Sequence, residues 1–134
     1  MKVVVNGTFD VLHLGHLRLL QYAKTFRNAY VLVLIDSDRR VRELKGDSRP
    51  VNTQDERREM LMALKMVDQV EIFDSADELS KMIEEYNPDV MVKGSDYIGK
   101  HIIGAEFCRN ISFYKRLGDY STTNTIARIN GNKE

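Results

Sequence analysis

With 134 residues, 43% of them apolar and 30% charged, the chain has the length and composition of one soluble globular domain, too apolar for a disordered segment and long enough to need neither disulfide nor structural metal. Twenty basic against twenty acidic side chains give zero formal net charge, which speaks against a sequence-independent binder of nucleic acid or of a membrane surface. A single cysteine, Cys108, leaves no intramolecular disulfide, and with no signal-peptide pattern after Met1-Lys2 and no membrane-length apolar stretch the expected location is the cytoplasm.

The first predicted element is a strand at Val3-Val4-Val5. It runs through Asn6-Gly7-Thr8 to His13 and His16, where helical periodicity begins and continues at Leu17, Leu20 and Ala23. Strand, glycine turn and helix start in succession make an anion site, because a helix N-terminus offers unpaired N–H groups and a partial positive charge. The Thr8 hydroxyl and the imidazole N–H groups add donors. Such a site suits phosphoryl or nucleotidyl transfer, in which the protein positions groups and stabilises charge around phosphorus.

Ala29 to Ile35 is an unbroken apolar run, expected for a strand covered on both faces, and it ends at Asp36-Ser37-Asp38. Arg39 to Pro50 reads as an exposed loop or short helix, with Arg39, Arg40, Arg42, Lys45 and Arg49 crowded around Gly46. A segment leaving the carboxyl end of a parallel strand lies beside the ligand crevice, where cations meet phosphates.

Thr53-Gln54-Asp55-Glu56 fits a capping box that opens a helix with Met60, Leu61 and Leu64 as its apolar stripe. Val67 to Phe73 is strand-like. Ser75 to Glu78 fits a second capping box, followed by Leu79, Met82, Ile83 and Tyr86 at helical spacing, and Asn87-Pro88-Asp89 ends that helix. The methionines read as core filler.

Val90-Met91-Val92 predicts a short buried strand running into the polar turn Lys93 to Tyr97, whereas Ile98 to Asn110 carries no assignable pattern. Ile111 to Tyr114 is a candidate last strand. Ser121-Thr122-Thr123 then precedes a short closing helix over Asn124 to Ile129, and three hydroxyls offer more than a cap needs. Alternating strands and helices without an internal repeat predict a single α/β domain over residues 1–130, built on a doubly wound parallel sheet of about five strands, with 131–134 as a flexible tail. Its crevice should gather the ends of the first, second and fourth strands and the last loop.

Three segments thus offer anion-binding chemistry: Gly7-Thr8 with His13 and His16, Lys45 with its arginine neighbours, and Lys93 with Ser121 to Thr123. The run GTFDVLHLGH resembles the HxGH signature of the Rossmann-like nucleotidyltransferase superfamily, cytidylyltransferase-like in type, and STT resembles its second phosphate-binding motif. LKGDSRPVN at Leu44 to Asn52, Arg57, KGSDY at Lys93 to Tyr97 and STTN at Ser121 to Asn124 together resemble the heptose-1-phosphate adenylyltransferase module of ADP-heptose synthases, over nearly the whole chain.

That resemblance implies the reaction of NTP, ATP by preference and CTP as the alternative, with a sugar or polyol phosphate to give an NDP-sugar and pyrophosphate. Mg²⁺ balances the triphosphate charge, and no protein side chain is assigned as its ligand. It implies His13, His16 and Lys45 as catalytic residues. Gly7, Thr8, Phe9, Lys93, Gly94, Asp96, Ser121, Thr122 and Thr123 would bind nucleotide and phosphate, and Asp10, Asp38, Arg57 and Tyr97 would meet the acceptor substrate. The resemblance further implies a homodimer that binds neither nucleic acid nor membrane, and a stand-alone transferase where many relatives carry a fused sugar kinase.

Ser95 stands where the family has a second glycine, and Thr125 where it has an aliphatic residue. Leu117-Gly118-Asp119-Tyr120 replaces the Arg-Thr-x-Gly run of glycerol-3-phosphate cytidylyltransferases, which weakens that alternative. Zinc ligation by His13 and His16 is disfavoured because His101 and Cys108 show no ligand spacing, and a dinucleotide site because no G-x-G-x-x-G follows the first strand. An aminoacyl-tRNA synthetase lacks room and basic excess, and a non-catalytic nucleotide sensor would not need the transition-state histidines.

Overall fold

The computed structural model describes residues 1–115 and residue 126, so the Ser121 to Thr123 run, the closing helix apart from Ile126, and the tail lie outside the described residues. Five parallel strands form one sheet: β1 (Lys2–Gly7), β2 (Tyr30–Asp36), β3 (Gln69–Phe73), β4 (Val90–Gly94) and β5 (Asn110–Tyr114), in the order β3-β2-β1-β4-β5. Four helices connect them: α1 (Leu14–Lys24), α2 (Asp38–Lys45), α3 (Gln54–Met62) and α4 (Ala76–Tyr86). This is the expected Rossmann-like, doubly wound arrangement. Among the described residues no helix is long and apolar enough to cross a membrane.

Strand alternation divides the core in two. Val3, Val5, Val31, Val33, Ile35, Val90 and Val92 face α1 and α3 through Leu20, Ala23 and Leu61. Val4, Leu32, Leu34 and Met91 face the other way, toward Leu79 and Ile83 of α4 and Ile102. Both faces are therefore dry, as the unbroken apolar run of β2 requires. The unpatterned segment after β4 closes part of this second face, with Ile103, Ala105, Phe107 and Cys108 packed on it.

The pairing of β1 with β2 continues to Gly7 and Ile35, whereas pairing of β1 with β4 is formed at Val3–Val90 and Val4–Met91. Beyond Val4 the two strands part. Because the chain winds outward in both directions from β1, this gap is the topological switch point of the sheet, where ligands of such folds bind.

Three local expectations are corrected, and the choice between loop and short helix after β2 is decided. The left-handed residue between β1 and α1 is Phe9, with φ 51°, and Gly7 is not among the positive-φ residues. The basic segment after β2 is helical as α2, with Ser37 accepting the Arg40 N–H as its cap. β3 begins at Gln69, not Val67, because the Asp68 carboxylate takes the Val31 N–H at 2.8 Å before the ladder with β2 starts. Met60 is 37% exposed, since the buried face of α3 is formed by Arg57 and Leu61 instead.

The Thr53 capping box of α3 forms reciprocally with Glu56. At α4, Ser75 accepts the Glu78 N–H as expected, but the Glu78 carboxylate reaches back to the Asp74 N–H rather than to Ser75.

Candidate active site

The end of β1 and the start of α1 build the first wall. A Cβ on Gly7 would stand 3.1 Å from the Phe9 ring, so glycine here makes room for that ring to fold back on the strand. Phe9 in turn is buried and lies 4.9 Å, ring centroid to centroid, from His16. His16 stacks on His13 at 3.8 Å. Its Nδ1 accepts the His13 backbone N–H at 3.3 Å, which leaves the proton of a neutral imidazole on Nε2. Both rings thus stand over the positive end of α1, and His16 does so with a defined donor.

The second wall comes from β2 and α2. Asp36, the last residue of β2, is nearly buried and receives Arg40 Nε at 3.0 Å and, more weakly, the Thr8 hydroxyl at 3.4 Å. Lys45 at the end of α2 lines the cleft, and its pKa is lowered by desolvation and by the nearby Arg49 charge, with Asp36 and Asp10 opposing. The basic cluster read from the sequence therefore divides. Arg40 and Lys45 face the cleft, whereas Arg39 pairs with Asp74 and Glu43, and Arg49 with buried Asp10.

The third wall is the end of β4. Lys93 is 8% exposed, and burial lowers its pKa to about 8, against the opposing pull of Asp36 and Asp96. Its ammonium lies 4.5 Å from the Tyr97 ring centroid, a cation–π contact. A Cβ on Gly94 would meet the Asp96 carboxylate at 2.6 Å, so Asp96 folds back over the strand end only because residue 94 is glycine.

These walls enclose a cleft of about 510 Å³, within the range of about 300–1,000 Å³ usual for small-molecule sites. Gly7, Thr8, Phe9, His13, His16, Lys45, Lys93, Gly94, Asp96 and Tyr97 all line it. Asn6, Asp36 and His101 line it too and were not assigned to it from the sequence, and Arg40, read there only as one of the arginine neighbours of Lys45, lines it as well. Asp36 and Arg40 did leave a signal, a carboxylate ending an apolar strand with an arginine four residues on. Asn6 left a fainter one, a polar residue closing a run of valines.

Asp10, Asp38 and Arg57, expected at the substrate, are not among the cleft-lining residues. Asp10 is fully buried and accepts Arg49 Nε and the N–H groups of Val51 and Asn52. Asp38 accepts from the Gln54 N–H and from Arg57. Arg57 is fully buried and donates to the carbonyls of Thr8, Asp36 and Asn52. These three side chains satisfy the backbone of the loops around the cleft, so their proximity to the site in sequence reflects bracing.

The donor set is cationic and imidazole-rich, suited to anionic oxygen. Cys108 offers no reactive thiol, since burial pushes its pKa up to about 11. No group of three or more His, Cys, Asp or Glu suited to a metal ion occurs among the described residues.

A family model described as cytidylyltransferase-like matches residues 4–127. The protein named Bifunctional protein HldE from Campylobacter fetus is 48% identical over 129 residues, covering 96% of this chain and 28% of the relative. That of Koribacter versatilis is 51% identical over 130 residues, covering 94% and 26%. The chain thus spans about a quarter of the length of these curated relatives. Among solved structures, a lipopolysaccharide core biosynthesis protein from Thermoplasma volcanium superposes with a TM-score of 0.65 at 24% identity, covering 90% of this chain and 98% of that one, a likeness of fold.

Proposed function

The chain belongs to the cytidylyltransferase-like family of nucleotidyltransferases, and from that premise we propose that it joins the nucleoside monophosphate of an NTP to a sugar phosphate and releases pyrophosphate. The single observation that carries the reading is one cleft in which the stacked His13 and His16, at a helix N-terminus, face Lys45 and Lys93. We propose ATP as the nucleotide and heptose 1-phosphate as the acceptor, on the KGSDY and LKGDSRPVN runs and the two relatives named HldE.

The chemistry follows from the residues. A phosphate oxygen of the acceptor attacks the α-phosphorus in line while pyrophosphate departs on the opposite side, and a phosphate dianion needs no general base for this. Charge then grows on the equatorial oxygens. His16 Nε2–H and the N–H groups of the α1 start donate to those oxygens, with His13 stacked behind to fix the ring. Lys45 and Lys93 neutralise the phosphates, and the aromatic face of Tyr97 steadies Lys93.

Mg²⁺ is proposed to arrive with the triphosphate. Asp36 and Asp96 are the carboxylates lining the cleft among the described residues, and Asp36 is already engaged by Arg40. Such a donor set fits a cation held mainly by phosphate oxygens and water, supplying charge neutralisation when bound.

The test is a grid of ATP, CTP, GTP and UTP against heptose 1-phosphate, glycerol 3-phosphate and other phosphate acceptors, scored by pyrophosphate. The expected positive is ATP with heptose 1-phosphate. Substituting His16→Ala should lower kcat about 10²- to 10³-fold with a smaller change in nucleotide affinity. Unchanged turnover would remove the histidine from the mechanism, and nucleotide binding with no pyrophosphate in any cell would favour a sensor.

A further inference from the structure

Asn6, Asp36 and Lys93 stand within one residue of the carboxyl ends of three adjacent strands, β1, β2 and β4, and all line the cleft. By strand alternation Asn6 shares the face of Val4, Asp36 that of Leu34, and Lys93 that of Met91, all three of which belong to the α4 side of the core. The histidines stand on α1, which packs on the opposite face with Phe9, Leu20 and Ala23. The cleft therefore straddles the sheet edge, with the histidines of the helix start on one side and, on the other, a compartment that sets Lys93 beside oxygen acceptors.

That second compartment carries oxygen acceptors. Asp36 and Asp96 supply carboxylates, Phe73, Leu79 and Ile102 supply apolar backing, and Asn6 supplies an amide whose Oδ1 is buried with no hydrogen-bond partner among the described residues. A buried acceptor without a donor is costly, so such atoms are rare and their positions informative. The amide lies at the gap between β1 and β4, two residues beyond the last pair of those strands. Its terminal torsion is soft, so Oδ1 can turn to a ligand without moving the backbone.

Carboxylates and an amide oxygen accept hydroxyl protons, and with Arg40 paired to Asp36 and Lys93 standing on the same face the compartment suits a hydroxyl-rich group that carries a phosphate at one end. An in-line displacement also places the attacking group on the side of phosphorus away from the leaving pyrophosphate. Resting on the nucleotidyl-transfer reading above, we infer that the α4-side compartment takes the hydroxyl-bearing body of the acceptor, and that Asn6 Oδ1 accepts one of its hydroxyl protons. Asn6 is then a specificity-determining residue for a polyol acceptor rather than for the nucleotide.

The test compares wild type, Asn6→Ala and Asn6→Ser in titrations with heptose 1-phosphate, with its monodeoxy analogues, and separately with ATP. Asn6→Ala should bind heptose 1-phosphate about 10-fold more weakly and ATP unchanged. One monodeoxy analogue should show the same loss against wild type and no further loss against Asn6→Ala. Melting temperature should stay level or rise, because the variant removes an unsatisfied acceptor, and Asn6→Ser serves if the alanine variant does not fold. A loss of ATP affinity instead, equal affinities throughout, or additive losses for every analogue would overturn the assignment. Failure of wild type to release pyrophosphate sinks the nucleotidyl-transfer reading alone, since the titrations still decide Asn6, whereas failure to bind any sugar phosphate overturns both.

Discussion

Lys93 shows how a single side chain ties burial to ligand binding. Its pKa of about 8 lies below the ordinary lysine value because the ammonium is held out of water. The unfolded chain therefore binds the extra proton between about pH 8 and 10.4, and this group makes the ligand-free fold more stable as pH rises across that window. An arriving phosphate reverses the preference. Binding of a nucleotide or phosphate near pH 8 should take up a fraction of a proton and weaken at higher pH, measured by calorimetry in buffers of different ionisation enthalpy. Lys93→Met should abolish that uptake. Arg57 makes the opposite case, a cation whose partners are three carbonyls and Asp38. Arg57→Ala should lower stability by about 3 kcal/mol in a denaturant titration, with Arg57→Lys a poor rescue because one ammonium cannot span the same acceptors. Resemblance to the family set Arg57 and Asp10 at the substrate, whereas both are fully buried and absent from the cleft lining. Burial is what separates a brace from a contact, and a linear pattern carries no burial.

At the scale of elements, most of the fold was legible because its signals are local. Unbroken valine and isoleucine runs marked β1 and β2, and Thr53 and Ser75 marked the starts of α3 and α4. Thr53→Ala should cost about 1 kcal/mol by removing the acceptor for the Glu56 N–H, read as a shift in the unfolding midpoint. The stretch from Ile98 to Asn110 was illegible for a physical reason. It is held by short turns, including a 3₁₀ segment at Ala105–Phe107, and by apolar residues spaced to meet a sheet face rather than a helix stripe. Gly104 there adopts φ 82° against Ile83, a fit that only the assembled core specifies. The left-handed turn before α1 misled in another way: glycine was credited with it, whereas Gly7 supplies room and Phe9 supplies the turn.

Taken whole, the molecule is neutral, yet its cleft gathers Arg40, Lys45 and Lys93 around Asp36 and Asp96. Attraction of anionic substrates is thus a property of the site, not of the net charge, and acts at short range. Raising ionic strength from about 0.05 to 0.5 M should increase KM for both phosphate substrates several-fold with kcat nearly constant, measured by steady-state pyrophosphate release. The sheet order brings these charges together from segments far apart in the chain, which is why the cleft could be anticipated as a crevice but not drawn residue by residue. Arg57 joins the β1–α1 loop, the end of β2 and the loop before α3 through one planar group buried beneath the cleft. Loops commonly loosen on warming well before the body they hang from. Here none of the three can slacken without abandoning that shared guanidinium, so heat inactivation and loss of the fold should be one event.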